Sequence, residues 1–254
     1  MTSGLRKTAA LLALAVMFTG CSAPAESESG AALPDVVGSM DIRYAEQFSV
    51  DYLADGSALA EVADGRRYLI IPDGGEVPEQ LPEDVTVISQ PENIYLASSS
   101  SMDLFSSLDC LGDILASSTP ESGWKLPEIA QAMADEDILY AGKYSSPDIE
   151  LLMSEGCDLA IENMMIYHSP KTAEQIESCG IPVFIERSSA ESHPLGRLEW
   201  VRLYGLMLGK SDEAEKFFSE KCSLLDEVTS RESTGCTAAF FYISSNGSAV
   251  VRKP

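Results

Sequence analysis

The chain has 254 residues, and its 40 Asp and Glu outnumber its 17 Lys and Arg, giving a formal net charge of -23. A surface this acidic repels phosphate backbones and anionic lipid, which argues against a nucleic-acid-binding protein and against a peripheral membrane helix. Hydrophobic residues make up 45% of the chain and charged residues 22%, as in an ordinary globular protein with a sizeable core. The excess charge fits either solubility alone or docking to a basic partner.

The N-terminus carries the pattern of a secretory signal. A short basic start precedes an apolar run over residues 9–18, which is too short to span a bilayer. The run ends in FTGC, which resembles a bacterial lipobox with Phe18 in place of the usual Leu. Residues 1–20 are predicted to be a lipoprotein signal peptide, Cys21 a lipidated N-terminus and residues 21–40 a flexible tether. This predicts an extracytoplasmic protein anchored by lipid to the outer face of the cell membrane; a plain signal peptide that happens to contain Cys is the alternative.

Five further cysteines are odd in number and include no CxxC pair, so the spacing of a zinc site is absent. Their apolar contexts, such as LDCLGDIL, favour buried free thiols over a disulfide or metal framework. They are Cys110, Cys157, Cys179, Cys222 and Cys236.

The globular part is predicted to begin with strands. Over residues 41–72 the runs FSVDYL, ALAEVAD and RRYLIIP are separated by the turn signals ADGS and ADGR, which predicts an antiparallel meander. From Val85 onward, strand-like runs alternate with helical ones, beginning with VTVIS and NIYLAS and ending with IPVFIE. This βαβαβ order predicts a parallel sheet with right-handed crossovers, so residues 41–208 are interpreted as one N-terminal α/β lobe.

Local signals mark several helix starts. Ser100 and Asp103 fit a capping box, and the Ser-Pro pair at 146–147 is predicted to cap and open another helix. Residues 195–208 are predicted to form an apolar helix, with Trp in its core-facing part. Ser211 is predicted to cap the next helix, which at roughly 30 Å is long enough to cross between two lobes.

The last residues predict a strand without a partner. TAAFFYIS begins a fresh strand and SNG supplies a turn, but about twenty residues are too few to close a second α/β layer. Residues 232–254 are therefore interpreted as the start of a truncated C-terminal lobe. An unpaired strand containing FFYI is an aggregation hazard, so we expect the part up to residue 208 to be soluble alone and the full chain to associate. The alternative is a single-lobe protein whose last hairpin adds to the first sheet.

Ligands in open α/β sheets bind beyond the carboxyl ends of the strands, which nominates the loops that follow each run. The serine run offers backbone N–H groups that suit a carboxylate or catecholate oxygen, although simple capping explains the same residues. Tyr and His suit the metal of a chelate and Arg its anionic oxygens, although a single His is more often a capping residue. The candidate ligand-binding residues are Ser98, Ser99, Ser100, Ser101, Met102, Tyr144, Tyr167, His168, His193 and Arg197.

Sequence signatures of catalysis are absent: the chain contains no GxSxG, HExxH, GxxxxGKS or GxGxxG. Glu162 and Glu186 lie at predicted strand ends and form a possible carboxylate pair, but nothing else supports a glycosidase. Two histidines are few for a converging metal site. The sequence therefore predicts no catalytic residue, no metal centre and no cofactor.

Three stretches of the chain carry a family resemblance: DILYAGKYSSPDIELLMSEGCDLAI over 137–161, ENMMIYHSP over 162–170 and ERSSAESHPLGRLEWVRLYGLMLGKSDEAEKFF over 186–218. Together they resemble the periplasmic-binding family for iron siderophores, haem and cobalamin, most closely its Firmicutes-type lipoproteins. The resemblance implies an α/β fold of two Rossmann-like lobes joined by one long helix, with the ligand between the lobes. Residues 209–231 match that hinge helix, and the C-terminal lobe is expected to be largely absent from this chain.

The same resemblance implies an extracytoplasmic solute-binding component of an ABC importer, without enzymatic activity. Its expected ligand is an iron complex (siderophore or haem) or cobalamin. Its expected partners are an ABC permease and its ATPase, with acidic residues docking onto permease arginines and the membrane touched through the lipid anchor only. The full-length protein is expected to be a monomer. A receptor for bare Zn or Mn ions, a secreted α/β hydrolase and a non-transporting surface adhesin are the alternatives.

Overall fold

The structure is a computed structural model that describes residues 33–237 and 239–251. The predicted signal peptide, the lipidation site Cys21 and most of the predicted tether lie outside these residues. Val36–Ser39, which the prediction placed in the tether at 21–40, form a strand paired with residues 51–53. The folded part therefore begins before the predicted boundary at 41, because residues 36, 38 and 39 each pair with a residue of 51–53.

A five-stranded sheet forms the first layer of the fold. Its strands are β1 (Val36–Ser39), β2 (Phe48–Leu53), β3 (Ala58–Val62), β4 (Arg67–Ile71) and β5 (Val85–Ser89), paired in that order. The predicted meander is confirmed, since β1 to β4 are successively antiparallel. Gly56 and Gly65 make its turns with φ of +88° and +87°, a backbone conformation that favours glycine. β5 runs parallel to β4, so VTVIS belongs to this sheet.

A second sheet of five parallel strands carries the alternating part of the chain, as predicted. Its strands are β6 (Ile94–Leu96), β7 (Ile114–Ser117), β8 (Leu139–Tyr140), β11 (Leu159–Asn163) and β12 (Val183–Glu186). They are arranged β12-β11-β6-β7-β8, with every neighbouring pair parallel. Between β8 and β11, the two-residue strands β9 (Gly142–Lys143) and β10 (Ser146–Pro147) form a small ladder of their own.

Six α-helices lie among the residues that the structure describes. They are α1 (Met102–Ser107), α2 (Pro127–Ala134), α3 (Ile149–Ser154), α4 (Pro170–Ser178), α5 (Pro194–Met207) and α6 (Ser211–Thr229). The predicted start of α3 is wrong: Ser146 and Pro147 lie in β10, and the Asp148 carboxylate caps the helix by accepting the Leu151 N–H at 3.0 Å.

Two other predicted caps are also wrong. Ser101, not Ser100, occupies the N-cap position of α1, and its hydroxyl makes no capping hydrogen bond. Lys210, not Ser211, occupies the N-cap position of α6. Serine is often found at the N-cap position. In these two helices, however, the path of the backbone and not this preference determines which residue is the N-cap.

The main core joins the first sheet to one face of the second sheet through α5. Trp200 of α5 is fully buried, as predicted, with its ring 5.0 Å from that of Phe48 on β2 and 6.2 Å from that of Phe184 on β12. The other face of the second sheet is covered by α3 and α4, which form a separate apolar cluster with it. The two sheets are thereby held in one packed body.

α6 packs along α5 as part of the same core. Ala214 and Phe218 are fully buried there. A Cβ on Gly205 of α5 would lie 2.4 Å from the Ala214 Cβ, so the two helices approach as closely as a glycine permits. The core therefore continues across the predicted boundary at 208–209. Removal of α6 would expose apolar side chains of this core. An exposed apolar face of this kind disfavours a soluble fragment that ends at residue 208, so that expectation stays a prediction.

The strands β13 (Phe241–Ile243) and β14 (Ala249–Val251) form an antiparallel hairpin, and every residue of both is exposed. Within 33–237 and 239–251 they pair only with each other, so the hairpin does not add to the first sheet as the single-lobe alternative required. In the same residues, no helix has the length and apolar character needed to cross a membrane.

The cysteines are free thiols in the described part of the chain. Cys110, Cys157 and Cys222 are buried, as predicted, whereas Cys179 is half-buried and Cys236 is exposed. Burial raises the pKa of the Cys110 and Cys157 thiols to about 11, which keeps them protonated and unreactive.

Candidate functional site

The carboxyl ends of β6, β7, β11 and β12 meet at one edge of the second sheet, called the carboxyl edge below. The loops that leave these strands are hydrogen-bonded to one another. The Ala97 carbonyl accepts from the Asn163 amide at 3.1 Å and from the Ser118 hydroxyl at 3.1 Å. Because three loops share one carbonyl, the carboxyl edge is a fixed platform.

The serine run lies on this platform, but most of it is inaccessible. Ser98 and Ser101 are buried and Met102 is part of the core. The Ser98 hydroxyl donates to the Glu186 carboxylate at 2.8 Å, and the Ser101 hydroxyl lies 2.9 Å from the Tyr204 hydroxyl. Ser98, Ser101 and Met102 are therefore inaccessible in this structure, because the two serine hydroxyls are paired and Met102 packs in the core. Their contact with a ligand stays a prediction.

Ser99 and Ser100 are the exposed members of the serine run. The Ser100 hydroxyl lies 3.0 Å from that of Ser98, which links the exposed surface to the buried network. Burial, followed by the nearby Glu186 carboxylate, raises the pKa of the Tyr204 hydroxyl well above its ordinary value. The network therefore consists of neutral hydroxyls around one carboxylate.

Glu162 and Glu186 do not form a carboxylate pair. In the register of the two strands, Asn163 of β11 pairs with Glu186 of β12, so Glu162 lies on the opposite face of the sheet. Glu186 faces the main core and accepts a second hydrogen bond from the Ser188 N–H at 2.6 Å. Because the sheet separates the two carboxyl groups, they cannot act together on one glycosidic bond, and the glycosidase interpretation is excluded.

Tyr167 is exposed at the carboxyl edge and forms a pair with Arg187, which the sequence analysis missed. The Arg187 guanidinium donates to the Tyr167 hydroxyl at 3.1 Å, and that hydroxyl donates to Asp64 at 2.6 Å. Arg187 also donates to the Gln47 side chain at 3.2 Å. Partial burial, followed by the hydrogen bond to Asp64, raises the pKa of Tyr167, so the phenol is neutral. The sequence did contain a signal for Arg187, because this residue directly follows the strand that ends at Glu186.

The two histidines and Arg197 are placed differently from one another. His168 is exposed at the end of a 3₁₀ turn, Met164–His168. His193 caps α5: its Nδ1 accepts the Leu195 N–H at 3.1 Å and its ring stacks 4.9 Å from that of Tyr44. The capping alternative is thus the one observed for His193, and Nδ1 is not open to a metal. Arg197 is exposed and donates to the Ser189 carbonyl at 3.2 Å.

Tyr144 lies between β9 and β10 and is half-buried against the cluster under α3 and α4. It is the candidate residue contributed by the loop after β8. A second aromatic residue, which the sequence analysis did not select, is Trp124 in the segment after β7. Its indole N–H donates to the Thr119 carbonyl at 3.1 Å, so this half-buried ring is tied to the carboxyl edge.

Two buried carboxylates hold the segment 43–47 against α5. Glu199 accepts the backbone N–H groups of residues 43, 44 and 45 at 2.9, 2.7 and 2.9 Å. Glu191 accepts those of residues 46 and 47 at 2.7 and 3.1 Å, and the Trp200 indole N–H at 2.9 Å. Gln47 is thereby fixed beside Arg187. In the sequence, Glu199 is visible only as an acidic residue within an apolar helix. That pattern does not identify the backbone N–H groups that it binds.

Neither histidine hydrogen-bonds a serine in the part of the chain that is described, and Ser98 pairs with a carboxylate instead. Over the same residues, no group of three or more His, Cys, Asp or Glu side chains is placed to hold a metal ion. The accessible chemistry of the carboxyl edge is therefore a guanidinium, a phenol, an imidazole and serine hydroxyls. The guanidinium, the imidazole and the serine hydroxyls can donate hydrogen bonds to anionic oxygens, whereas the single proton of the Tyr167 phenol is already donated to Asp64.

Comparison with known proteins gives the fold a context. No protein-family model matches the sequence. An uncharacterised lipoprotein of Methanocaldococcus jannaschii is 23% identical, over 62% of this chain and 40% of that protein. The periplasmic haem-binding protein HutB of Vibrio cholerae aligns with a TM-score of 0.51 and 16% identity, over 63% of this chain and 58% of that one. A periplasmic haem-binding protein of Pseudomonas aeruginosa aligns with a TM-score of 0.45 and 18% identity, over 55% and 46%.

The chain thus spans 40% to 58% of the length of these relatives. The match to HutB shows that the chain has the α/β fold of a periplasmic binding protein, as the sequence predicted.

Proposed function

We propose that this chain is part of an extracytoplasmic solute-binding protein of an ABC importer, and that it captures an iron chelate, haem or cobalamin without catalysis. The observation that carries the proposal is the shared fold with HutB, described as a periplasmic haem-binding protein, combined with the placement of the accessible polar groups at the carboxyl edge. A binding protein needs a rigid, preformed surface with a few polar anchors, and the shared carbonyl of Ala97 supplies that rigidity.

Arg187 and Tyr167 are the proposed anchors for the ligand. Carboxylates, catecholates and haem propionates present anionic oxygens, which a guanidinium binds with charge-assisted hydrogen bonds. Arg187 is already oriented by Gln47 and Tyr167, so little side-chain freedom is lost when it binds. Ser99, Ser100 and His168 are the exposed neighbours from the adjoining loops.

The acidic character of the chain supports the proposed partner. A net charge of -23 favours docking to the basic surface of a permease, which an ATPase would then drive. The lipid anchor at Cys21 remains a proposal, and the similarity to a lipoprotein of Methanocaldococcus jannaschii supports it. Together these observations support the proposal that the protein lies outside the cytoplasmic membrane and carries its ligand from solution to the transporter.

The test is a fluorescence titration of the chain from residue 22 onward with haem, ferric siderophores and cobalamin. Trp200 is fully buried and Trp124 lies at the carboxyl edge, so the two tryptophans separate a global from a local response. Saturable quenching by one ligand class, lost in Trp124→Phe although binding persists by absorbance, would place the ligand at this edge. Quenching that persists in Trp124→Phe would place it elsewhere.

A bare Zn or Mn receptor is the alternative, and a titration with these ions under the same conditions separates the two. Saturable binding of an ion with no response to any chelate would replace the proposed cargo. The hydrolase alternative is tested with a chromogenic ester, whose turnover, abolished by one serine substitution, would contradict a pure binding protein.

A further inference from the structure

The face of the second sheet under α3 and α4 contains two buried polar side chains that lack a hydrogen-bond partner among the described residues. Glu162, near the end of β11, is fully buried, and neither of its carboxyl oxygens is paired. The hydroxyl of Tyr95 on β6 is also buried and unpaired. Tyr95 pairs in register with Ala160, and Glu162 follows two residues later, so both side chains lie on this face.

The surroundings of Glu162 favour its neutral form. Ala97, Ile166 and Ile185 belong to the apolar cluster on this face, and a buried carboxylate without a partner is strongly unfavourable. Burial alone raises the pKa of Glu162 to about 8. The pKa of Tyr95 is raised as well, first by burial and then by Glu162. Both groups are therefore neutral at pH 7.

No cation on the described elements that cover this face compensates a charge on Glu162. Cys157 and Tyr140 are the other groups that act on Tyr95, and both disfavour a negative charge there. The remaining titratable and charged groups on the covering elements and loops are exposed or half-buried: Lys143, Tyr144, Asp148, Glu150, Glu155, Asp158, Tyr167, His168, Lys171, Glu174, Glu177 and Cys179. Ionisation of Glu162 therefore leaves an unpaired charge in the apolar cluster.

We propose that Glu162 is a proton-bearing positioning residue, whose proton keeps the segment 163–168 seated at the carboxyl edge and whose deprotonation releases that segment. The segment follows Glu162 directly. Asn163 ties it to the Ala97 carbonyl and Ile166 buries it on the same face as Glu162. When the ionised carboxylate moves out of the apolar cluster into water, Ile166 must move with it. Residues 163–168 then lose their packing at the carboxyl edge.

The movement reaches the candidate site through Tyr167, which is in the same segment and holds Arg187 at 3.1 Å. An alkaline shift would thus separate the two proposed anchors. This switch acts on the protein alone, so it can be tested without a ligand, and its failure leaves the proposed function untouched.

The test combines two measurements on the chain without its predicted signal peptide. Infrared spectroscopy reads the carbonyl stretch of a protonated carboxyl group between pH 6 and 10. Hydrogen exchange reads the protection of the backbone N–H groups of residues 164–168 relative to those of β3 over the same range. The variants are Glu162→Gln, which cannot ionise, and Glu61→Gln, which removes an exposed glutamate from β3.

In the unaltered chain, we expect a protonated-carboxyl band at pH 6 that titrates with a midpoint near pH 8, as the pKa of Glu162 requires. We also expect the relative protection of residues 164–168 to fall by about tenfold or more above that midpoint. Glu162→Gln should remove both changes, and Glu61→Gln neither. If Glu162→Gln does not fold, Glu162→Met serves instead, since it also removes the titration. Absence of the band at pH 6, or an equal pH dependence of protection with and without Glu162, would overturn the proposal.

Discussion

The fully buried carboxylate of Glu199 accepts the backbone N–H of Tyr44 at 2.7 Å, across 155 positions of sequence. Glu199 also accepts the N–H groups of residues 43 and 45 and the Arg202 guanidinium, and together with Glu191 it attaches the segment before β2 to α5 and the turn that precedes it. The same segment supplies Gln47, which orients Arg187. A structural contact far from the carboxyl edge therefore contributes to the geometry of the proposed anchors.

Glu199→Ala should lower the free energy of unfolding by at least about 3 kcal/mol, because it leaves three backbone N–H groups without their acceptor. It also removes one of the acceptors of the Arg202 guanidinium, which keeps Asp41 and Glu215. Urea denaturation followed by circular dichroism measures this. Glu61→Ala, at an exposed position of β3, is the control and should change stability by no more than about 0.5 kcal/mol. A loss at position 199 no larger than at position 61 would show that the segment 43–47 is held by other contacts.

Gly205→Ala should destabilise the protein even though Ala is the better helix former. The gain of about 1 kcal/mol in helix propensity is smaller than the cost of a Cβ placed 2.4 Å from that of Ala214. Thermal melts compare it with Gly112→Ala, where the added Cβ meets nothing within 4 Å. A higher melting temperature for Gly205→Ala would contradict the close packing of α5 on α6.

The stability contribution of Glu162 should depend on pH in a defined direction. Its pKa is about 8 in the folded state, against an ordinary value of 4.5, so between these values the folded state holds a proton that the unfolded state has lost. Its contribution therefore falls as pH rises from about 5 to 8, by a few kcal/mol at most, and is constant above pH 8.

Urea denaturation of the unaltered chain and of Glu162→Gln at pH 5, 6.5 and 8 tests this sign. The difference in unfolding free energy, unaltered minus variant, should decrease steadily over the series, because Gln does not titrate. Parallel pH profiles would show that Glu162 is ionised, or paired, in the folded protein.

The hairpin of β13 and β14 should cause self-association. Phe240 and Phe241 are 79% and 61% exposed, and the strand edges of the hairpin are unpaired within the described residues. Sedimentation velocity at roughly 10–100 µM should show oligomers that Phe241→Lys reduces. Val77→Lys, at an exposed apolar residue of a loop, is the control and should leave association unchanged. A monodisperse monomer would contradict this expectation.

The order of elements was predictable because it depends on local patterns. Turn signals at Gly56 and Gly65, the alternation after Val85 and the apolar run around Trp200 each lie within a short window of sequence. These patterns were enough for the meander, the parallel sheet and the long helix. The partner of β5 was not predictable, because an apolar run of five residues fits either sheet.

The partners of the candidate site residues were not predictable, because they depend on how distant loops meet. Ser98 finds Glu186 across 88 positions, and Tyr167 finds Asp64 across 103. A sequence shows that Ser98 and His193 have polar side chains, but not that these side chains are already paired inside the fold. Placing the loops at the carboxyl edge was therefore easier than deciding which of their residues face the ligand.

The most direct test of the central claim is the dissociation constant for haem, ferric siderophores and cobalamin, measured by isothermal titration calorimetry with the chain from residue 22 onward and with Arg187→Ala. If the chain is part of a chelate-binding protein, one class should bind saturably with 1:1 stoichiometry. Arg187→Ala should then weaken it by about tenfold or more, the value of a charge-assisted hydrogen bond. If a chain shown to be folded binds none of these ligands, or binds one equally well without Arg187, the proposed cargo or the proposed anchor is wrong.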